Sequence, residues 1–200
     1  MNKRIRLIGV PMDLGQKHRG VDMGPSAVRY AGLSEKLSDL GYTINDIGNI
    51  DVPQRFTLAA RSRKGLLAAI VKGCEAAYQA AAAALTDGEI PIFMGGDHSI
   101  AIGTIGGITH HRDCGIIWVD AHGDFNIPQT SLTGNVHGMT LSVLLGQGPK
   151  SLINVGRKGR KIKPKNVVLI GIRNLDPKEK NRLKKSGCKI FTMRDIDEQG

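Results

Sequence analysis

Short apolar runs alternate along the chain with segments whose apolar residues recur every three or four positions. The short runs predict strands at residues 4–11, 42–50, 90–94, 114–119, 166–173 and 188–192. The three-to-four spacing predicts helices at residues 26–33, 34–40, 64–85, 99–109, 139–145 and 177–186. Because strands and helices alternate, we expect a three-layer α/β fold with a mostly parallel sheet and helices on both faces.

One predicted helix, at residues 99–109, is interrupted by Gly103, Gly106 and Gly107. Glycine weakens a helix by its own conformational freedom, so its repeated use there needs a reason. The absence of side chains at these positions suggests that the helix packs closely against the sheet.

Length and composition are typical of a soluble globular protein. The 200 residues are 40% hydrophobic and 23% charged, which fits a single α/β domain spanning 1–200. The apolar segment after the basic N-terminus is too short for a signal peptide, and no stretch is long enough to span a membrane. We therefore expect a cytoplasmic protein. Its cysteines, Cys74, Cys114 and Cys188, fit no zinc spacing and are expected to be reduced, buried thiols.

The net charge of +10 is concentrated at one end of the sequence. Residues 1–149 hold 13 basic and 13 acidic residues, whereas residues 150–200 hold 15 and 5. The densest basic segment, residues 157–165, suggests either a nucleic-acid contact or a solvated loop. It has no interleaved aromatic residues, so the solvated loop is favoured and nucleic acid is not expected as a partner.

A cluster of metal-ligand residue types follows two of the predicted strands. Asp120, His122 and Asp124 come directly after the run at 114–119 and would leave one side of an extended backbone. His98 follows the strand at 90–94, and carboxyl ends of parallel strands form the sites of such sheets. Imidazole and carboxylate together suit manganese, iron or zinc, and Asp97 is expected to orient a ligand. The alternative is a surface loop with a chance pattern.

Two of these segments resemble the metal-binding motifs of a known family. Residues 95–99 (Gly-Gly-Asp-His-Ser) and 120–124 (Asp-Ala-His-Gly-Asp) resemble motifs of the ureohydrolases, which include arginase, agmatinase and formimidoylglutamase. The chain resembles arginase most, through residues 21–25, 126–130, 133–138 and 173–179. The similarity runs from about residue 6 to the last residue.

The resemblance implies a three-layer α-β-α fold, a cytoplasmic homo-oligomer (trimer or hexamer) and two Mn²⁺ ions per active site. It also implies hydrolysis of L-arginine to L-ornithine and urea by a hydroxide that bridges the two ions. That chemistry is reasonable, since metal ions lower the pKa of water and the guanidinium carbon is a poor electrophile.

Roles for individual residues follow from the same resemblance. The metal ligands would be His98, Asp120, His122 and Asp124, with Asp120 bridging both ions. His137 would transfer the proton to the leaving amine, as a histidine near neutral pKa can. Asn126 and Thr133 would bind the α-carboxylate of the substrate and Asp176 its α-amino group, and Asn135 would be a further substrate-binding residue. Glu179 is a further substrate-binding candidate, with a helix N-terminal charge as the equal alternative.

One family motif is missing. The third metal motif, resembling Ser-x-Asp-x-Asp-x-x-Asp-Pro, does not occur, and residues 195–197 are its nearest match. We therefore expect the N-terminal part of an arginase, or a truncated form, that is inactive by itself. Two other functions stay open. One is a relative acting on agmatine or another guanidine, and the other is an inactive metal-binding or nucleic-acid-binding fragment.

Overall fold

Six strands and eight helices make up the computed structural model, which describes residues 3–58 and 62–200. The strands are β1 (Arg4–Val10), β2 (Thr43–Asn49), β3 (Ile90–Gly95), β4 (Ile116–Val119), β5 (Val167–Ile172) and β6 (Lys189–Thr192). The helices are α1 (Gly24–Tyr30), α2 (Leu33–Asp39), α3 (Arg63–Thr86), α4 (Ile100–His111), α5 (Thr140–Leu144), α6 (Lys150–Ile153), α7 (Pro177–Lys184) and α8 (Met193–Gln199). Each predicted strand and helix is present, and α6 and α8 were not predicted.

All strand pairs are parallel, which confirms the predicted α/β class. The strands form two three-stranded sheets, in the orders β2-β1-β3 and β4-β5-β6, where one sheet was expected. In the described part of the chain β3 and β4 do not pair. The two sheets are nevertheless in contact near their strand ends. The ring of His98, which follows β3, stacks on Trp118 of β4 with centroids 4.3 Å apart.

Helices cover both faces of the first sheet but not of the second. Ile5 and Leu7 of β1 pack in a cluster with residues of α2, while Ile8 and Val10 pack with α3 and α4. In the second sheet one face is buried under α5 and α7. On the other face the side chains of Ile117 and Val119 are 73% and 75% exposed, so the predicted third layer is incomplete along β4.

The glycines of α4 allow it to pack closely on another helix. A Cβ on Gly103 would lie 2.1 Å from the carbonyl oxygen of Cys74, and one on Gly107 would lie 2.4 Å from that of Tyr78. Both carbonyls belong to α3. The expectation that these glycines pack against the sheet was therefore wrong, because the contact is between α3 and α4.

Gly107→Ala is expected to destabilise the protein by about 2 kcal/mol, since overpacking a close contact costs ~1–3 kcal/mol. Alanine's better helix propensity offsets only part of this cost. Urea unfolding measures the difference. Gly138→Ala is the control, because a Cβ there meets no atom within 4 Å. Equal stability of the two variants would show that the α3–α4 contact tolerates a side chain.

The basic segment at 157–165 is only partly solvated, contrary to the solvated loop that was favoured. Lys161 is 5% exposed. Its Nζ donates to the carbonyl oxygens of Ile153 (2.8 Å) and Gly159 (3.1 Å), and also to that of Arg157. The segment therefore folds around a buried ammonium group.

The three cysteines are free thiols, as predicted, but the expectation that all three are buried was wrong, because Cys114 and Cys188 are half-buried. Cys74 is buried between α3 and α4, and burial raises the pKa of its thiol. Among the residues described, no helix combines the length and apolar character needed to cross a membrane.

Candidate metal centre

The predicted site residues line a single cleft of ≈ 250 Å³ at the carboxyl ends of the strands. They come from the segments that follow β3, β4 and β5, and from the loop before α5. The ten are His98, Asp120, His122, Asp124, Asn126, Thr133, Asn135, His137, Asp176 and Glu179. The residues selected from the sequence therefore lie together in one cleft. Their shared location does not by itself establish the role of each residue.

Three of these side chains point at a common position. His98, Asp120 and Asp124 each offer a ligand atom, and these atoms lie within 4.8 Å of one another. Nδ1 of His98 is 2.7 Å from Oδ2 of Asp124 and 3.2 Å from Oδ2 of Asp120. Ligands placed at right angles ~2.1 Å from one ion are about 3 Å apart, so the spacing fits a shared divalent cation.

Asp124 has two features typical of a functional position. Its backbone has φ 45°, a left-handed conformation that is uncommon outside glycine but tolerated by aspartate. The residue is 5% exposed, and its Oδ2 atom is buried without a hydrogen-bond donor. Nδ1 of His98 lies 2.7 Å from that oxygen and forms an ion pair with it when the ring is protonated. A metal ion would satisfy such an oxygen.

The carboxylates also affect His98. Burial lowers the pKa of its imidazole, but the neighbouring Asp124 and Asp120 raise it by more, so the pKa lies above the ordinary value for histidine. A ring nitrogen must be free of its proton to bind a metal. Protons and metal therefore compete at this nitrogen, and metal binding is favoured towards higher pH.

His122 lies on the other side of Asp120. Its Nδ1 and its backbone N–H are 3.3 Å and 2.9 Å from Oδ1 of Asp120, while Oδ2 of that residue faces His98. The extended backbone expected for residues 120–124 was wrong, because β4 ends at Val119 and the chain turns. The two oxygens of Asp120 are thereby directed to different sides, as a bridging carboxylate requires.

Asp97 connects the loop that carries His98 to two other segments. Its buried carboxylate accepts hydrogen bonds from the backbone of Gly15 (2.7 Å) and from the backbone N–H (2.9 Å) and hydroxyl of Ser99. The carbonyl of Gly15 in turn accepts from the N–H of His137 at 3.1 Å. Asp97 therefore fixes the segments that carry His98 and His137.

Gly96, the residue before Asp97, allows the backbone to pass close to Met12. Gly96 has φ 24°, and a Cβ there would lie 2.4 Å from the carbonyl oxygen of Met12. The same carbonyl accepts the N–H of Asp97 at 2.7 Å. A side chain at Gly96 would displace the segment that leads to His98.

The residues predicted to recognise the two ends of an amino acid are neighbours. The Nδ2 of Asn126 donates to Oδ2 of Asp176 at 3.0 Å, and its Oδ1 accepts from the hydroxyl of Thr130 at 2.8 Å. The α-carboxylate and α-amino group of an amino acid share one carbon, so the groups that bind them must be adjacent. Asn126 and Asp176 meet that requirement.

Thr133 and Asn135 belong to a turn at the rim of the cleft. The hydroxyl of Thr133 accepts from the N–H of Asn135 at 3.2 Å, and that of Ser131 accepts from Gly134 at 2.9 Å. Thr133 is exposed and Asn135 is half-buried. Their side chains are accessible from the cleft, and their contact with a substrate stays a prediction.

Glu179 has a structural role in the described residues. It is 4% exposed, and its oxygens accept from the backbone N–H groups of Phe125 (2.8 Å) and Asp176 (3.2 Å). The second bond is half of a capping box at the start of α7. Burial raises the pKa of Glu179, while these hydrogen bonds oppose the shift. The capping box explains only the contact with Asp176, whereas the bond to Phe125 joins the start of α7 to the segment after Asp124. A substrate role for Glu179 stays a prediction.

Three residues of the cleft were not predicted from the sequence. They are Ser131, Gly138 and Asn174. Asn174 lies two residues beyond β5, and its Nδ2 is 3.4 Å from Nε2 of His122. The rule that placed His98 and Asp120 at strand ends would also have selected Asn174.

The nearest match to the missing third motif lies elsewhere. Asp195 and Asp197 are on α8, outside the residues that line the cleft. The carboxylate of Asp195 accepts from the N–H (2.6 Å) and hydroxyl (2.7 Å) of Thr192, forming a capping box. These interactions lower the pKa of Asp195. Its role is to begin the helix.

Comparison with known proteins gives a consistent result. The sequence profile described as "Arginase family" matches residues 3–200. The arginase of Bacillus subtilis (strain 168) is 49% identical over 201 residues, which cover 100% of this chain and 68% of that protein. The chain thus spans about two thirds of the length of such relatives.

Solved structures agree with the sequence match. The native arginase of Bacillus caldovelox at pH 5.6 superimposes with a TM-score of 0.92 at 46% identity, covering 100% of this chain and 68% of that one. The arginase of Entamoeba histolytica in complex with L-ornithine gives a TM-score of 0.85 at 29% identity, covering 100% and 69%.

Proposed function

The chain belongs to the arginase family of amidine hydrolases, and from this premise we propose that it supplies the metal and substrate sites of an enzyme that hydrolyses L-arginine to L-ornithine and urea. The observation that carries the proposal is the shared cleft. The group of His98, Asp120 and Asp124 lies in the same cleft as the adjacent pair Asn126 and Asp176. A relative that is complexed with L-ornithine supports an amino-acid ligand there.

Manganese is the metal we propose, since one imidazole and two carboxylates suit it and the buried oxygen of Asp124 lacks a donor. When bound, the metal supplies activation of water for attack on the guanidinium carbon. His98 and Asp124 would hold one ion, His122 a second, and Asp120 would lie between them. Among the residues described, only Asp120 and His122 would be ligands of the second ion, so we expect it to bind more weakly than the first.

His137 is proposed to transfer the proton to the leaving amine. It lines the cleft, and its backbone is tied to Gly15 by the 3.1 Å hydrogen bond and to Thr140, whose hydroxyl donates to its carbonyl at 2.8 Å. A fixed backbone restricts where the ring can reach, which is what general acid–base catalysis needs. Asn126 and Thr133 would bind the α-carboxylate of the substrate and Asp176 its α-amino group, while Asn135 would be a further contact to the substrate.

Agmatine is the substrate of the main alternative, because it has the guanidinium group but no α-carboxylate. The test is urea release from L-arginine and from agmatine with Mn²⁺, using the protein as expressed from its own gene. Faster release from arginine is the expected result. Equal or faster release from agmatine would support the alternative. If the protein binds metal but releases urea from neither substrate, the result would support the alternative of an inactive metal-binding protein.

Asn126→Ala is expected to reduce the preference for arginine over agmatine by about tenfold or more, because the α-carboxylate that only arginine carries loses a hydrogen-bond donor. Manganese content should change little. The ratio of kcat/KM for the two substrates measures the effect. Asn174→Ala is the matched control, since Asn174 lies in the same cleft beside His122. An unchanged ratio in Asn126→Ala would remove this residue from the substrate site.

We further propose that the protein is a cytoplasmic homo-oligomer, a trimer or hexamer, as the resemblance implied. Light scattering after gel filtration measures the mass. A monomer at micromolar concentration would contradict the oligomeric part of the proposal, and cell fractionation tests the compartment.

A further inference from the structure

A second cleft, of ≈ 230 Å³, lies at the amino ends of β4 and β5. It is therefore at the opposite end of these strands from the metal ligands. Four cationic side chains line it, those of Arg157, Arg160, Lys161 and Lys163, against the single carboxylate of Asp113. This excess of positive charge in a concave site has no role in the proposed hydrolysis.

These cations are not neutralised inside the described part of the chain. None of them is within 4.0 Å of a carboxylate in the ion pairs of residues 3–58 and 62–200. Arg157 donates through Nη2 to the carbonyl of Lys161 at 3.2 Å, but its Nε is buried without a hydrogen-bond acceptor. A buried donor without an acceptor is unfavourable, so the guanidinium of Arg157 is not fully satisfied by its neighbours in the described residues.

The pKa of Lys161 reflects its burial beside another cation. Burial, and then the positive charge of Arg157, lower the pKa of its ammonium group to about 8, although Glu75 acts in the other direction. Its position is fixed because Nζ donates to backbone carbonyls at the base of the segment. Within residues 3–58 and 62–200, the side chains of the two exposed cations, Arg160 and Lys163, form no hydrogen bond that would hold them away from the cleft.

We propose that this cleft binds a small phosphate oxyanion between Arg157, Arg160 and Lys163. A water molecule occupies ~30 Å³ in the liquid, so the cleft has room for an anion of this size together with several waters. Guanidinium groups present paired donors that match phosphate oxygens, and a lysine adds a point charge. The anion could be free phosphate or the phosphate group of a larger metabolite, which share this chemistry.

A nucleic acid fits the cleft less well. Proteins that hold single strands combine a charged groove with aromatic side chains on which bases stack. In the described part of the chain, no aromatic residue lines this cleft. Its positive charge is confined to one concavity, whereas a nucleic-acid backbone needs contacts at successive phosphates.

The test is titration of the metal-free protein with inorganic phosphate and with ATP by calorimetry at constant ionic strength, with amide chemical shifts locating the site. The variant is Arg160→Gln with Lys163→Gln. Its matched control is Lys158→Gln with Lys165→Gln, two exposed lysines of the same segment that do not line the cleft. Both variants lose two positive charges, and circular dichroism checks that both are folded.

One phosphate per chain is expected to bind with Kd of about 1 mM or tighter. The cleft variant should lose about tenfold in affinity and the control less than about twofold, because contact rather than overall charge determines binding. Tighter binding of ATP with the same dependence on the variants would identify a metabolite phosphate group. Three results would overturn the proposal. They are equal losses of phosphate affinity in the two variants, no saturable phosphate binding at about 10 mM, and tight binding of an oligonucleotide but not of phosphate or ATP.

Discussion

Asp124→Asn is expected to lower the affinity of the protein for Mn²⁺ by about 100-fold or more. Losing a residue that only orients a metal ligand typically costs ~10–100-fold, and Asp124 is itself a proposed ligand. The change removes a charge from a buried oxygen that lies 2.7 Å from Nδ1 of His98. Electron paramagnetic resonance of free Mn²⁺ measures the affinity directly.

Asp176→Asn is the matched control for this change. Asp176 lines the same cleft and loses the same charge, but it is not among the three residues whose ligand atoms converge. Its effect on Mn²⁺ affinity should be less than about threefold, since solvent screens a carboxylate that does not touch the ion. A second readout is stability, because Mn²⁺ at 100 times Kd should stabilise the wild type by about 2.7 kcal/mol. Equal effects of the two variants would contradict the assignment.

Glu179→Ala is expected to destabilise the protein by about 3 kcal/mol. It leaves the buried N–H of Phe125 without its acceptor, and a buried unpaired group costs ~1–3 kcal/mol. The substitution also removes the capping box of α7, a further ~1 kcal/mol. Part of this destabilisation is offset, because the folded protein no longer buries the charged carboxylate. Urea unfolding of the metal-free protein measures the change.

Glu35→Ala controls for the loss of a glutamate from a first helical turn. Glu35 occupies that position in α2 but is exposed and forms no hydrogen bond through its side chain in the described residues. Its loss should cost less than about 1 kcal/mol. If Glu179→Ala is no more destabilising than this control, the backbone contacts of Glu179 contribute little and a substrate role becomes the better explanation of its burial.

The strand and helix pattern could be predicted because apolar periodicity reports burial directly. The 24-residue α3 and the apolar β5 were evident on that basis. The division into two sheets was not, because pairing between strands depends on contacts between distant segments that a periodicity does not encode. Ile117 and Val119 illustrate this. They belong to an apolar run that is typical of a fully buried strand, yet their side chains are exposed.

The site could be located but not resolved from the sequence. The strand-end rule and the resemblance together placed ten residues in one cleft. The extended-backbone argument failed, since the left-handed turn at Asp124 is set by tertiary contacts. The buried position of Lys161 could not be predicted either, because a run of basic residues carries no signal of the carbonyls that surround it.

The most direct test of the metal centre is anomalous diffraction at the manganese absorption edge, from crystals of the protein equilibrated with Mn²⁺. We expect a peak ~2.0–2.3 Å from Nδ1 of His98 and from an oxygen of each of Asp120 and Asp124. Ordered crystals in which the three side chains surround no peak, or in which the manganese binds elsewhere, would contradict the proposed centre.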